Sequence, residues 1–178
     1  MKKTILFVVI ALIIGVIIYF LNRESKTEYF NEVTLPETNT VYNSSDYNFM
    51  DTIVSIGLEE LSIKDKTVTI RNMPSYVSNN FDNQNDMRLE ASVYGVGDTY
   101  IIYVTNMDRD VAMKILSHEL IHLNQYASKR LVILSNGLVK WEGKEISVLD
   151  YSYNNRPWEI EAFDGQGDLQ KRIEKILY

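Results

Sequence analysis

The chain holds only two histidines in 178 residues. They stand four positions apart, with a glutamate after the first: His118-Glu119-Leu120-Ile121-His122. On an α-helix, residues i and i+4 share one face, one turn apart. Two imidazoles so placed can bind one zinc ion at about 2.0–2.1 Å each. Glu119, beside His118, points to the flank of such a metal, where it can take a proton from zinc-bound water. The metal lowers the pKa of that water toward about 7. The chemistry implied is hydrolysis with Glu119 as general base. The competing view is a packed helix with two ordinary histidines. Here the surrounding run is strongly apolar, and two unpartnered imidazoles inside it would cost free energy.

A catalytic zinc site needs a third protein ligand and one open position. The chain has no cysteine and both histidines are already used, so the third ligand is expected to be a carboxylate. Downstream candidates are Glu142, Glu145, Asp150, Glu159, Glu161 and Asp164. Glu142 and Glu145 flank Gly143-Lys144 in a hairpin and read as solvated. Glu159 and Glu161 follow Pro157 at the start of a helix, a rigid platform whose dipole favours carboxylates. The spacing leaves these two open. The transition state also needs a donor to the developing oxyanion. Tyr151, Tyr153 and Arg156 lie just before the ligand helix, and Tyr153 is taken as that catalytic group. Gln125, close to one turn past His122, can orient a ligand from behind.

The elements that must hold these residues follow from pattern. Residues 46–61 carry Phe49, Ile53, Ile56 and Leu61 at helical spacing, with Asp46 as a possible N-cap and Gly57 as a weak point. Residues 66–71 alternate and are β-branched, a short strand. Residues 72–88, rich in Asn and Asp, read as a loop. Residues 89–94 and 99–105 are strand-like around Gly95-Val96-Gly97-Asp98, a hairpin signal. Asp108 or Asp110 opens a long helix through about Ser128, with Lys114, Ser117 and Asn124 on its polar side. Residues 130–135 and 138–141 flank Asn136-Gly137, the strongest hairpin signal in the chain, and residues 145–149 add a third strand. A last helix starts at Pro157 with Asn155 as its cap, and weakens at Gly165 and Gly167. The fold class expected is α+β with small antiparallel sheets.

Composition narrows the function. An apolar fraction of 46% argues against disorder throughout. The absence of cysteine excludes a disulfide scaffold, a cysteine-ligated zinc finger or iron–sulfur site, and a thiol nucleophile. A net charge of −6 argues against nucleic acid as the partner. Residues 4–21 are uncharged and apolar on every face, long enough as a helix to span about 27 Å. Bulky Tyr19, Phe20 and Leu21 offer no small-x-small cleavage site, so the segment reads as an uncleaved transmembrane anchor. Lys2 and Lys3 place the N-terminus in the cytoplasm and the remainder outside it. Residues 22–40 then form a polar tether, and residues 41–178 the catalytic domain.

The stretches His118-Glu119-Leu120-Ile121-His122-Leu123-Asn124-Gln125 and Arg156-Pro157-Trp158-Glu159-Ile160-Glu161-Ala162 together resemble the small zincin-like metallopeptidases of bacteria and phages. In outline they are similar to the ImmA/IrrE-type and membrane zincin families. Those families pair HExxH on one helix with Glu-x-x-Ala on a later one, where the Glu is the third ligand. The resemblance implies His118, His122 and Glu159 as metal ligands, since Ala162 stands three residues after Glu159. Phe163 departs from the Asp or Asn that many members carry after this Ala, and Glu161 stays as the alternate ligand. The resemblance also implies a zincin-like core in which the strand before the active-site helix, residues 99–105, offers its edge to an extended substrate. The function expected is a membrane-anchored zinc peptidase acting on protein or peptide substrates. The alternative is a non-catalytic metal-binding or assembly module on a membrane anchor, as in the envelope protein of a phage or mobile element.

Overall fold

The computed structural model describes residues 39–74, 91–135 and 137–178. The chain divides into Met1–Thr34 and Leu35–Tyr178, and every described residue falls in the second unit. Four strands form the larger sheet: β1 (Thr40–Asn43), β2 (Thr67–Asn72), β3 (Ala91–Val96) and β4 (Thr99–Val104). Their order is β1-β2-β4-β3. Helix α1 (Met50–Glu60) connects β1 to β2, and α2 (Arg109–Ala127) follows β4. A second sheet, β5 (Leu131–Ile133), β6 (Leu138–Trp141) and β7 (Lys144–Ser147), leads through two short 3₁₀ turns to α3 (Pro157–Leu177).

The alternation of β2 and β4 fixes the core. Val68 and Ile70 of β2, with Tyr100, Ile102 and Val104 of β4, are buried because side chains two apart share a face. Met50, Ile53, Val54 and Leu58 of α1 join the same cluster, as do Met113, Leu116, Leu120 and Leu123 of α2. Helix α2 starts cleanly: the Asp108 carboxylate accepts the Val111 N–H at 2.9 Å, satisfying one donor of the free first turn.

Several expectations need correction. The fold is α+β, but the larger sheet is mixed where antiparallel pairing was expected. β1 pairs parallel with β2, and β2 parallel with β4; only β3–β4 is antiparallel. A helix between β1 and β2 returns the chain to the same end of the sheet, which makes the neighbours parallel. The three-stranded sheet is antiparallel throughout, as expected of its tight turns. β4, expected to offer a free edge, lies between β2 and β3; among the described residues the outer strands are β1 and β3. The transmembrane helix expected over residues 4–21 lies outside the described residues. Among those described, no helix is long and apolar enough to cross a membrane; the longest, α3, is studded with charges from Glu159 to Lys175.

Smaller departures have local causes. Thr40, assigned to the tether, opens β1, and Asn39 before it bonds Lys66 N–H at 3.0 Å. A four-residue strand is too short to show its alternation. Asp46 does not cap α1; it accepts from the Asn72 amide at 2.7 Å, and Phe49 holds the cap position. Ser117 is fully buried and donates to the Met113 carbonyl at 2.8 Å. Most of the loop expected over residues 72–88 lies outside the described residues. Arg156, not Asn155, precedes α3, with Pro157 in its first turn. Helix α3 runs unbroken past Gly165 to Leu177. A Cβ at Gly165 would stand 2.9 Å from the Ile121 side chain, so this glycine marks where α3 crosses close to α2.

Candidate metal centre

The buried polar side chains among the described residues are Ser117, His118, Glu119, His122, Gln125 and Glu159. All but Ser117 converge on one place. Such convergence is costly unless the groups satisfy each other or a ligand. His118 and His122 come from successive turns of α2, and Glu159 from the first turn of α3.

Three atoms face each other. Nε2 of His118 and Nε2 of His122 are 3.1 Å apart. Oε2 of Glu159 lies 3.2 Å from the second and 3.4 Å from the first. A tetrahedral metal with bonds of about 2.0–2.1 Å separates its ligand atoms by about 3.3–3.4 Å. The observed triangle is that face, slightly contracted. The group can bind a metal ion.

The chemistry of the donors agrees. Gln125 donates its amide N–H to the Trp158 carbonyl at 3.0 Å, which turns its oxygen toward His122 Nδ1 at 2.9 Å. A carbonyl oxygen only accepts, so Nδ1 carries the hydrogen and Nε2 presents a lone pair in the neutral ring. That lone pair confronts a carboxylate oxygen and a second imidazole nitrogen. A cation or a proton must lie among them. Burial alone would lower the His122 pKa, but the Glu159 bond and the Glu159 and Glu119 charges outweigh it and hold it above 6.5. Glu159 pays a desolvation cost that would raise its pKa, yet its bonds to His118, His122 and Tyr153 bring it down to about 2. It is a carboxylate, as a ligand must be.

Glu119 is buried beside this triangle. Burial drives its pKa up, partly opposed by the two histidines and by the neighbouring Val93 backbone of β3. Phe163, one turn after Glu159, lays its ring on His118 with centroids 4.6 Å apart. Nδ1 of His118 is buried without a partner among the described residues.

The structure thus brings together His118, His122, Glu119 and Glu159. Glu161 is drawn away: both its oxygens bond the Arg130 guanidinium. Glu142 is exposed, as expected of a solvated carboxylate, and pairs with the same arginine at 2.7 Å. Tyr153 reaches the site, where its hydroxyl and the Glu159 carboxylate influence each other, and the Arg156 guanidinium lies over its ring at 5.3 Å. Tyr151 is 40% exposed. Gln125 behaves as its spacing predicted. The role of Trp158 as its acceptor was not foreseen, because a backbone carbonyl leaves no sequence signal. Comparison with family models, with curated proteins and with solved structures returns no match for this chain.

Proposed function

We propose that this protein is a zinc-dependent peptide hydrolase. The observation that carries the reading is the triangle of His118, His122 and Glu159 donors at 3.1–3.4 Å, flanked by a buried acid that ligates nothing. A structural metal site has no use for Glu119. Two imidazoles and one carboxylate, with a fourth position left to water, form a donor set suited to zinc in hydrolases. Zinc held there supplies Lewis-acid polarisation of a carbonyl and acidifies water.

The chain's own residues do the rest. Glu119 accepts the proton of the attacking water; its burial raises its basicity toward the neutral range where a general base works best. His122 is held in one tautomer by Gln125, and Tyr153 steadies the ligand carboxylate. β3 lies against the catalytic acid and, among the described residues, has β4 as its one strand partner. Its outer edge can bond an extended peptide, the task expected of β4. The resemblance to zincin-like metallopeptidases supports the same chemistry.

The test is Glu119→Gln, which keeps size and hydrogen bonding. Zinc content should match the unaltered chain, while peptidase turnover falls by about 10²–10⁴. Equal turnover in the two, with zinc bound in both, would remove the mechanism and leave a metal-binding module.

A further inference from the structure

Arg130 is not among the metal's ligands, yet it touches both helices that carry them. Its backbone N–H donates to the Gln125 carbonyl at 2.9 Å, near the end of α2. Its guanidinium forks onto Glu161 of α3, with Nη1 to Oε1 at 2.8 Å and Nη2 to Oε2 at 2.5 Å. Nη2 and Nε also reach Glu142 Oε1 at 2.7 and 3.1 Å. The Trp141 ring lies 5.0 Å beneath.

We propose that Arg130 and Glu161 form a positioning clamp that fixes the start of α3 against the end of α2 and so sets the site's affinity for its metal. The proposal rests on the metal reading given above. Helix geometry alone presets the two histidines. The third ligand must arrive from another helix, and its position depends on how the first turns of α3 are held. The N-cap residue Arg156 makes no side-chain capping bond. Two polar attachments from α2 and its end flank Glu159 in sequence: Gln125 to the Trp158 carbonyl, just before it, and Arg130 to Glu161, just after it. Two parallel N–H···O bonds fix orientation as well as distance, which a lysine does not. With both oxygens held, Glu161 is also kept from competing with Glu159. Arg130 and Glu161 are 36% and 35% exposed, so the pair contributes little to overall stability. Its effect is expected in metal affinity.

The experiment measures the zinc Kd of the full chain by competition with a chromophoric chelator. The visible spectrum of the Co²⁺-loaded chain and the metal-free Tm are recorded alongside. Arg130→Gln and Glu161→Gln should each weaken zinc binding about tenfold, the lower end of what losing an orienting partner costs. The Co²⁺ spectrum should change and the metal-free Tm should barely move. Arg130→Lys should recover part of the affinity. Glu142→Gln should leave Kd unchanged. Unaltered Kd and Co²⁺ spectra in Arg130→Gln and Glu161→Gln would overturn the clamp, as would an equal loss in Glu142→Gln. If Arg130→Gln does not fold, Glu161→Gln decides alone, since it leaves Arg130 on Glu142 and Trp141. An unaltered chain that binds no zinc would sink the metal reading itself. One that binds zinc but cleaves no peptide would sink the hydrolase reading and leave the clamp standing.

Discussion

Helices α2 and α3 both deliver donors to the group that can bind a metal ion, and they are held in opposite ways. From Leu116 to Leu123 every residue of α2 is buried; its histidines are locked by apolar packing on the sheet and α1. Along α3 the buried residues are only Trp158, Glu159, Ala162, Leu169 and Ile173. Its ligand is placed by polar contacts from Gln125, Tyr153 and Arg130. The close-packed helix presents a preformed pair of donors. The exposed helix presents a single donor whose position is adjustable. Removing a member of the pair should therefore do the most damage. His122→Ala is expected to lower zinc affinity by on the order of 10³-fold and abolish turnover, because a deleted ligand cannot be replaced from a packed helix. Zinc titration of the purified variant checks this. Retention of near-normal affinity would mean that the donors are not these three.

Tyr153 tests the polar side of the comparison. Its hydroxyl stands by Glu159, and the sequence expectation made it the donor to the developing oxyanion. Tyr153→Phe separates the roles. If the hydroxyl also serves the transition state, kcat falls by about 10² with zinc affinity and KM little changed. If zinc affinity falls instead, Tyr153 only steadies the ligand. Parallel measurement of kcat, KM and zinc Kd distinguishes the two outcomes, and no change in any of them would exclude both.

Legibility followed the same divide. HExxH lies within one helix turn and a residue, so the facing of its two histidines could be read from spacing alone. Asp108, the hairpin signal between β5 and β6 and Pro157 were equally local: Asp108 caps α2, the two strands pair antiparallel, and Pro157 stands in the first turn of α3. Glu159 against Glu161 could not be settled from spacing, since both follow Pro157 closely. Arg130, 29 residues before Glu159, separates them by claiming Glu161. The parallel pairing of β1 and β2 was missed because register between distant strands has no local signature. The exchange of β4 for β3 as the outer strand near the site has the same cause.

Proton competition gives a smaller effect with opposite signs in the two forms. The metal-free His122 titrates above 6.5: burial opposes the charge, but Glu159 and Glu119 favour it more. A raised pKa means that the imidazolium–Glu159 pair stabilises the metal-free chain fully below pH 6.5. That stabilisation is lost as pH rises through the folded-state value. Zinc requires the unprotonated nitrogen, so its affinity climbs over the same interval, by at most about tenfold per pH unit for one proton released. The metal-free Tm should thus fall on going from pH 6 to pH 8 by roughly what one linked group allows, while zinc binding tightens. Parallel trends in the two would show that His122 is not the group exchanging a proton for the metal.

The smallest effect is expected where the two helices meet a third. Gly57 of α1 is buried against both: a Cβ there would stand 2.4 Å from Leu120 Cδ1 of α2 and 3.4 Å from Ile173 Cδ1 of α3. Glycine in a helix costs about 0.8–1 kcal/mol relative to alanine, so Gly57→Ala gains that much locally. Against it stands the contact with Leu120, which is fully buried and has no solvent to turn into. Overpacking of this kind costs about 1–3 kcal/mol. The difference favours destabilisation by about 1 kcal/mol, or a Tm lower by about 3 °C. Leu120 lies two residues from each histidine, yet zinc affinity should move by less than about tenfold, because the packed helix shifts as a body and keeps its i, i+4 spacing. Thermal unfolding with and without zinc measures both quantities. A variant as stable as the unaltered chain would show that Leu120 has room to move. Packing could not then be what locks α2, and the contrast between the two helices would fail on its stronger side.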